Sequence, residues 1–169
     1  MKKLFIILIL LAPVVLANAQ ESKSRKEKRA EKEELKKEEI KQLIDNRSFV
    51  FNASHALPMG GSSINLNYYY NVTLEGENVE SYLPFYGVAY TAEYGSRNSP
   101  LSFNGTVEDY SVEKDKNGYQ IQFDVKNGND YLNYRFNISE LGYASLSITS
   151  TNRQFISFIG TVESVEEDI

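Results

Sequence analysis

Ile64-Asn65-Leu66-Asn67-Tyr68-Tyr69-Tyr70-Asn71-Val72-Thr73-Leu74 sets six apolar side chains at every second position. The intervening Asn65, Asn67, Tyr69, Asn71 and Thr73 form the opposite face. A period of two is that of a β-strand, and strict alternation means one face buried and one wet, the antiparallel situation. Eleven residues at about 3.3 Å each span roughly 36 Å, as wide as a compact domain of this size. The strand must therefore coil, bulge, or break near Asn71.

The same rhythm recurs on both sides of this stretch. Phe49 and Phe51 mark a first strand, and Glu75-Gly76-Glu77-Asn78 turns the chain into Val79 to Leu83. Leu101 and Phe103 lead to Gly105, and Val107 to Val112 follows. Asp115-Lys116-Asn117-Gly118 precedes Tyr119, Ile121, Phe123 and Val125; Asn127-Gly128-Asn129-Asp130 precedes Leu132, Tyr134, Phe136 and Ile138. Gly142 opens Ala144, Leu146 and Ile148, and Asn152-Arg153 precedes Phe155 to Val162. Asn-Gly dipeptides supply the positive φ that tight hairpins need. Eight or nine short strands without room for crossover helices make a barrel or a sandwich. Closure removes unpaired edges, so the mainly β fold expected over 46–169 is an antiparallel lipocalin-like β-barrel, with a β-sandwich as the alternative.

Upstream of residue 46 the chain is a different material. From Glu21 to Lys41, 16 of 21 residues are charged, without Gly, Pro or aromatic residues. Residues 20–45 carry nine basic and eight acidic groups, whereas 46–169 carry seven and 15. Glu, Lys, Leu and Ala favour a helix, and pairs such as Glu33/Lys37 support it. Ile40, Leu43 and Ile44 share a late apolar face, so a charged N-terminal helix should dock its last turns on its own domain. No sustained heptad points to a coiled coil. Residues 1–19 read as a signal peptide: Lys2 and Lys3, an apolar run from Leu4 to Leu16, and the small-residue site Ala17-Asn18-Ala19. Thirteen apolar residues fall short of the roughly 20 that span a bilayer. The expected location is periplasmic or secreted, with no membrane span in the mature chain.

Ser48-Phe49-Val50-Phe51, Ala56-Leu57-Pro58-Met59-Gly60-Gly61, Ser81-Tyr82-Leu83-Pro84-Phe85-Tyr86-Gly87 with Ala89-Tyr90, and Asn152-Arg153-Gln154 together resemble a secreted bacterial family of unknown function, DUF4251. The resemblance runs from the N-terminal segment to about Val162. It implies an exported, mostly β domain and carries no activity, cofactor or functional residue.

Composition narrows the chemistry. The 169 residues have 18 basic and 23 acidic groups, a net charge of −5, one histidine and no cysteine. An acidic chain lacks the positive footprint of a nucleic-acid binder. Without cysteine there is no disulfide framework or thiolate site, and no cofactor or metal site is expected. His55, near Ser54, Ser62 and Ser63, has no nucleophile-elbow motif around it. Glu108 and Asp109, adjacent on a strand, should point to opposite faces and so cannot form a glycosidase pair. Glu93, between Tyr90 and Tyr94, is a carboxylate without a nameable partner. Asp115 to Lys126 lacks the twelfth-position glutamate of a calcium loop. Five N-x-S/T triplets, at Asn46, Asn52, Asn71, Asn104 and Asn137, are chance products of this composition.

The aromatic segment from Pro84 to Pro100 stands out, because connecting segments are normally polar. Phe85, Tyr86, Tyr90 and Tyr94, with Tyr82 and with Met59 of the preceding loop, are the candidate contacts for a ligand or partner at one end of the barrel. Otherwise their rings plug that end. The expected function is an exported, non-enzymatic β-barrel binding module for a small apolar ligand or a cell-envelope partner. A structural or interaction protein using the helical arm is the alternative, and a hydrolase using Glu93 a third reading.

Overall fold

The computed structural model describes residues 25–90 and 99–165. Helix α1 spans Arg25–Asp45. Eight strands follow: β1 Ser48–Pro58, β2 Ile64–Glu75, β3 Asn78–Leu83, β4 Leu101–Lys114, β5 Gly118–Asn127, β6 Asp130–Ser139, β7 Tyr143–Ser150 and β8 Ile156–Glu163. Each pairs antiparallel with the next, and β8 returns to β1, so the sheet closes as a barrel rather than a sandwich. The stretches expected separately around Gly105 run as one strand, β4. The segment read as a signal peptide lies outside the described residues, as do Glu93 and Tyr94.

The long alternating strand solves its length problem by bulging. On β2, the four residues Leu66 to Tyr69 lie between the pairs His55–Asn65 and Ala53–Tyr70, opposite the single residue Ser54 of β1. A bulge bends its strand and adds local twist. Val72 and Leu74, beyond it, are fully buried, whereas Ile64, Leu66 and Tyr70 are only partly so.

The interior is filled. Phe49, Phe51, Phe123, Tyr134, Phe136 and Phe158 are all at 0% exposure. Phe136 takes Phe49 and Phe51 edge-on, at 5.7 and 5.6 Å between centroids, and Phe123 stacks on Tyr134 at 5.3 Å. Eight strands enclose about the width that side chains can fill. Ile40 and Ile44 join this core from the last turns of α1, while Leu35 is exposed. Gly142 lets the helix in: a Cβ there would sit 2.9 Å from Ile40 Cδ1, and its φ of 86° suits glycine.

The outer wall is mostly polar along β5 and β6. Gln120, Gln122, Asp124 and Lys126 of β5 alternate with buried Ile121, Phe123 and Val125, and Asn133, Arg135 and Asn137 do the same on β6. Neighbours bond across the strands, as in Arg135 to Gln122 and Asn133 to Asp124. A transmembrane barrel has the inverse pattern, with an apolar exterior. Among the described residues, no helix is long and apolar enough to cross a membrane.

Candidate functional site

The tight turn at Gly76-Glu77, with φ of 63° at Gly76, pairs Glu75 with Asn78 and so sets Asn71 opposite Tyr82. On β3, Val79, Ser81 and Leu83 face inward, leaving Glu80 and Tyr82 on the outer wall. The Tyr82 residue, 52% exposed, stacks on Tyr70 with 5.4 Å between ring centroids. Two grooves meet at Tyr70. One, of about 650 Å³, runs past Tyr82, Glu80, Ser102 and Asn104 to Pro84 and Ser99. The other, of about 640 Å³, is bordered by Tyr69, Asn52, Asn71, Thr73 and Glu163. Across the first, the β3–β4 register sets Tyr82 opposite Ser102 and Glu80 opposite Asn104. Tyr69, on the bulge, is 94% exposed.

A buried bond fixes β3 from behind. The Tyr134 hydroxyl of β6 donates to Ser81 Oγ at 3.1 Å, and Ser81 Oγ donates to the Leu101 carbonyl at 2.8 Å. Burial pushes the Tyr134 hydroxyl well above the ordinary tyrosine range, and the bond to Ser81 offsets only part of this. Burial also raises Tyr110, against the lowering influence of the Arg47 guanidinium, 4.1 Å from the ring centroid. The Tyr110 hydroxyl has no hydrogen-bond partner among the described residues.

The segment after β3 is clasped by the Asn152-Arg153-Gln154 run. The Tyr90 amide donates to the Asn152 carbonyl, the Gln154 amide donates to the Val88 carbonyl, and the Val88 amide donates to Gln154 Oε1. Ala89 and Arg153 form an antiparallel bridge. The Arg153 guanidinium in turn pairs with the buried carboxylate of Asp130, which also accepts from Ser150 Oγ and Thr151 Oγ1. A buried carboxylate is tolerated when it is paired and its lone pairs are filled.

The residues that sequence reasoning grouped as contacts divide among three places. Tyr82 lies on the outer wall in the tyrosine stack. Phe85 and Tyr86 are partly buried and pack on the core. Met59 and Tyr90, at 62% and 67% exposure, lie on connections at the same end of the up-and-down barrel. Tyr94 lies outside the described residues. Sequence reasoning placed Tyr70 on the buried face and passed over Glu80, Ser102 and Asn104. Counting back from the Glu75–Asn78 turn would have found the Tyr70–Tyr82 neighbourhood.

The other candidates resolve by geometry. Ser54 Oγ donates to the Ile159 carbonyl and lies 3.0 Å from His55 Nδ1. A serine whose proton goes to a backbone carbonyl is not wired as a nucleophile to its neighbouring imidazole. Glu108 and Asp109 do not point to opposite faces as alternation required. A bulge between Glu108 and Ser111, with Asp109 at a φ of 50°, turns both carboxylates outward and sends Tyr110 toward the core. Asp115 Oδ1 accepts from the amides of Asn117 and Gly118, making its segment a hairpin turn. Among the described residues, no group of three or more His, Asp or Glu side chains converges as a metal site would require.

Residues 31–162 match the model of a family described as Domain of unknown function (DUF4251). A crystal structure of a DUF4251 family protein from Bacteroides eggerthii shares the fold, with a TM-score of 0.61 and 16% identity over 77% of this chain and 88% of that one. No curated protein matches the chain.

Proposed function

We propose that this chain, which belongs to the DUF4251 family, is an exported, non-enzymatic binding module that takes a ligand or cell-envelope partner on its outer wall beside Tyr70 and Tyr82. The single observation that carries the reading is the stack of half-exposed Tyr82 on partly buried Tyr70, between two grooves of the outer wall. Tyrosine offers a rigid apolar ring and a polar tip at low entropic cost, which is why it recurs at contact surfaces. The packed interior directs the reading to the outside, because an apolar guest inside the barrel would have to displace buried rings. Export is inferred from the leader-like residues 1–19, and the non-enzymatic reading draws support from Ser54, whose proton goes to the Ile159 carbonyl rather than to His55.

The test is an amide NMR titration with a soluble envelope extract of Bacteroides eggerthii, which makes a protein of this fold. Shifts should cluster at residues 69–71, 80–82 and 102–104, and should vanish in Tyr82→Ala. Shifts centred on Phe51, Phe123 and Phe136 would instead place the guest inside the barrel and refute the reading.

A further inference from the structure

Several outward side chains elsewhere on the barrel bond across the strands, as in Arg135 with Gln122, Asn133 with Asp124, and Asn52 with Glu163. The four around the first groove do not. Glu80, Ser102 and Asn104 make no side-chain hydrogen bond or ion pair among the described residues, and Tyr82 keeps half its surface open. Their placement is fixed by the β3–β4 register. Tyr82 and Ser102 face each other, as do Glu80 and Asn104, with partners about 5 Å apart and the two pairs about 7 Å apart along the strands. The result is a tile about the size of one sugar ring. It carries an aromatic face at one end and a carboxylate, an amide and a hydroxyl around it.

We propose that this groove is a saccharide-binding site, taking a neutral sugar or an amino sugar. The inference rests on the outer-wall contact surface proposed above and names its ligand class. The negative face of the Tyr82 ring suits the weakly positive C–H face of a pyranose. Glu80 accepts from sugar hydroxyls, Asn104 both donates and accepts, and Ser102 does either. Tyr70 stacks on one face of the Tyr82 ring and holds its orientation, so little freedom is lost on binding. Among the described residues, Glu80 is the one charged residue lining this groove. Its unneutralised carboxylate selects against uronic-acid polymers and favours uncharged or amino-bearing rings.

The experiment titrates the purified protein, followed by amide NMR, with cellohexaose, maltohexaose, chitohexaose and pentagalacturonate in separate samples. At least one of the three hexaoses should shift Glu80, Tyr82, Ser102 and Asn104, and pentagalacturonate should not. Tyr82→Ala and Asn104→Ala should each weaken that hexaose about tenfold while the Tm stays within 2–3 °C of the parent. Three silent hexaoses would overturn the proposal, as would stronger binding of pentagalacturonate or affinity unchanged by Tyr82→Ala. If the envelope extract still shifts the same amides when all three hexaoses are silent, the saccharide assignment fails and the contact surface stands. If neither does, both fall.

Discussion

The hydroxyl of Tyr134 and that of Ser81 should be energetically coupled, and the coupling has a calculable sign. Tyr134→Phe removes one buried donor, but Ser81 still donates to the Leu101 carbonyl, so the cost is about 1–2 kcal/mol. Ser81→Ala orphans the Tyr134 hydroxyl beside Phe123, in surroundings that offer it no water, and costs about 2–3 kcal/mol. With both hydroxyls gone nothing is left unsatisfied at the tyrosine end. The double variant should therefore fall about 1–2 kcal/mol short of the sum of the singles. At roughly 3–6 °C per kcal/mol for a domain of this size, the singles lie well within calorimetric reach. Urea unfolding of the four proteins gives the cycle directly. An additive cycle, or Ser81→Ala milder than Tyr134→Phe, would refute the account. Because Ser81 lies between Glu80 and Tyr82, amide exchange at those two residues should quicken in both single variants.

Arg153→Ala leaves Asp130 as an uncompensated buried charge and should cost about 3–5 kcal/mol; proteolysis between Val88 and Tyr90 should accelerate with it, and an unchanged Tm would count against the clasp. Ile40→Ala, which empties a buried site beside Gly142, should cost about 2–4 kcal/mol, whereas Leu35→Ala on the exposed side of α1 should stay within about 0.5 kcal/mol, both read by urea unfolding. The raised ionisation of Tyr134 makes stability depend on alkaline pH. Above the unfolded tyrosine value of about 10 the unfolded chain releases this proton while the folded chain keeps it, so stability falls by up to about 1.4 kcal/mol per pH unit from this group. The contribution is fully present below pH 10, and the slope above it should be missing from Tyr134→Phe, so the parent's advantage over the variant should narrow as urea melts are taken from pH 9 to 11.5.

Most of the barrel is legible from residue patterns because the two-residue period and the turn chemistry are local. Asn127-Gly128-Asn129-Asp130 fixes Asn127 opposite Asp130, and ten consecutive pairs follow from that one turn, including Phe123 with Tyr134. The late apolar face Ile40–Ile44 is equally readable, and both residues are buried. The bulges are less so. The length of the Ile64–Leu74 alternation demands an irregularity, but nothing local places it at Leu66 to Tyr69, since that depends on how Ser54 meets its partners across β1. The bulge at Asp109 defeats simple alternation for the same reason. The site was half visible: aromatic residues are conspicuous in a connection, so Phe85 and Tyr86 drew attention although they pack inward. Tyr70 and Glu80 looked like ordinary members of strands. Asp130 and Arg153 are 23 residues apart, and nothing about either alone announces a pair.

Seven of the eight ladders join strands that follow one another along the chain, and each can zip from its own connection. The eighth is different. It brings Asn52 against Glu163, 111 residues away, and its formation must await nearly every other strand. Loop-closure entropy of that size is collected in a single late step. Linking the end of β8 to the start of α1 and opening the chain at 59–63 would make that ladder more local but leave β1 and β2 as the distant pair, because a closed barrel always has one ladder between its first and last strands. The rearranged chain should reach the same barrel at a similar rate, with the β1–β2 ladder now the last to form.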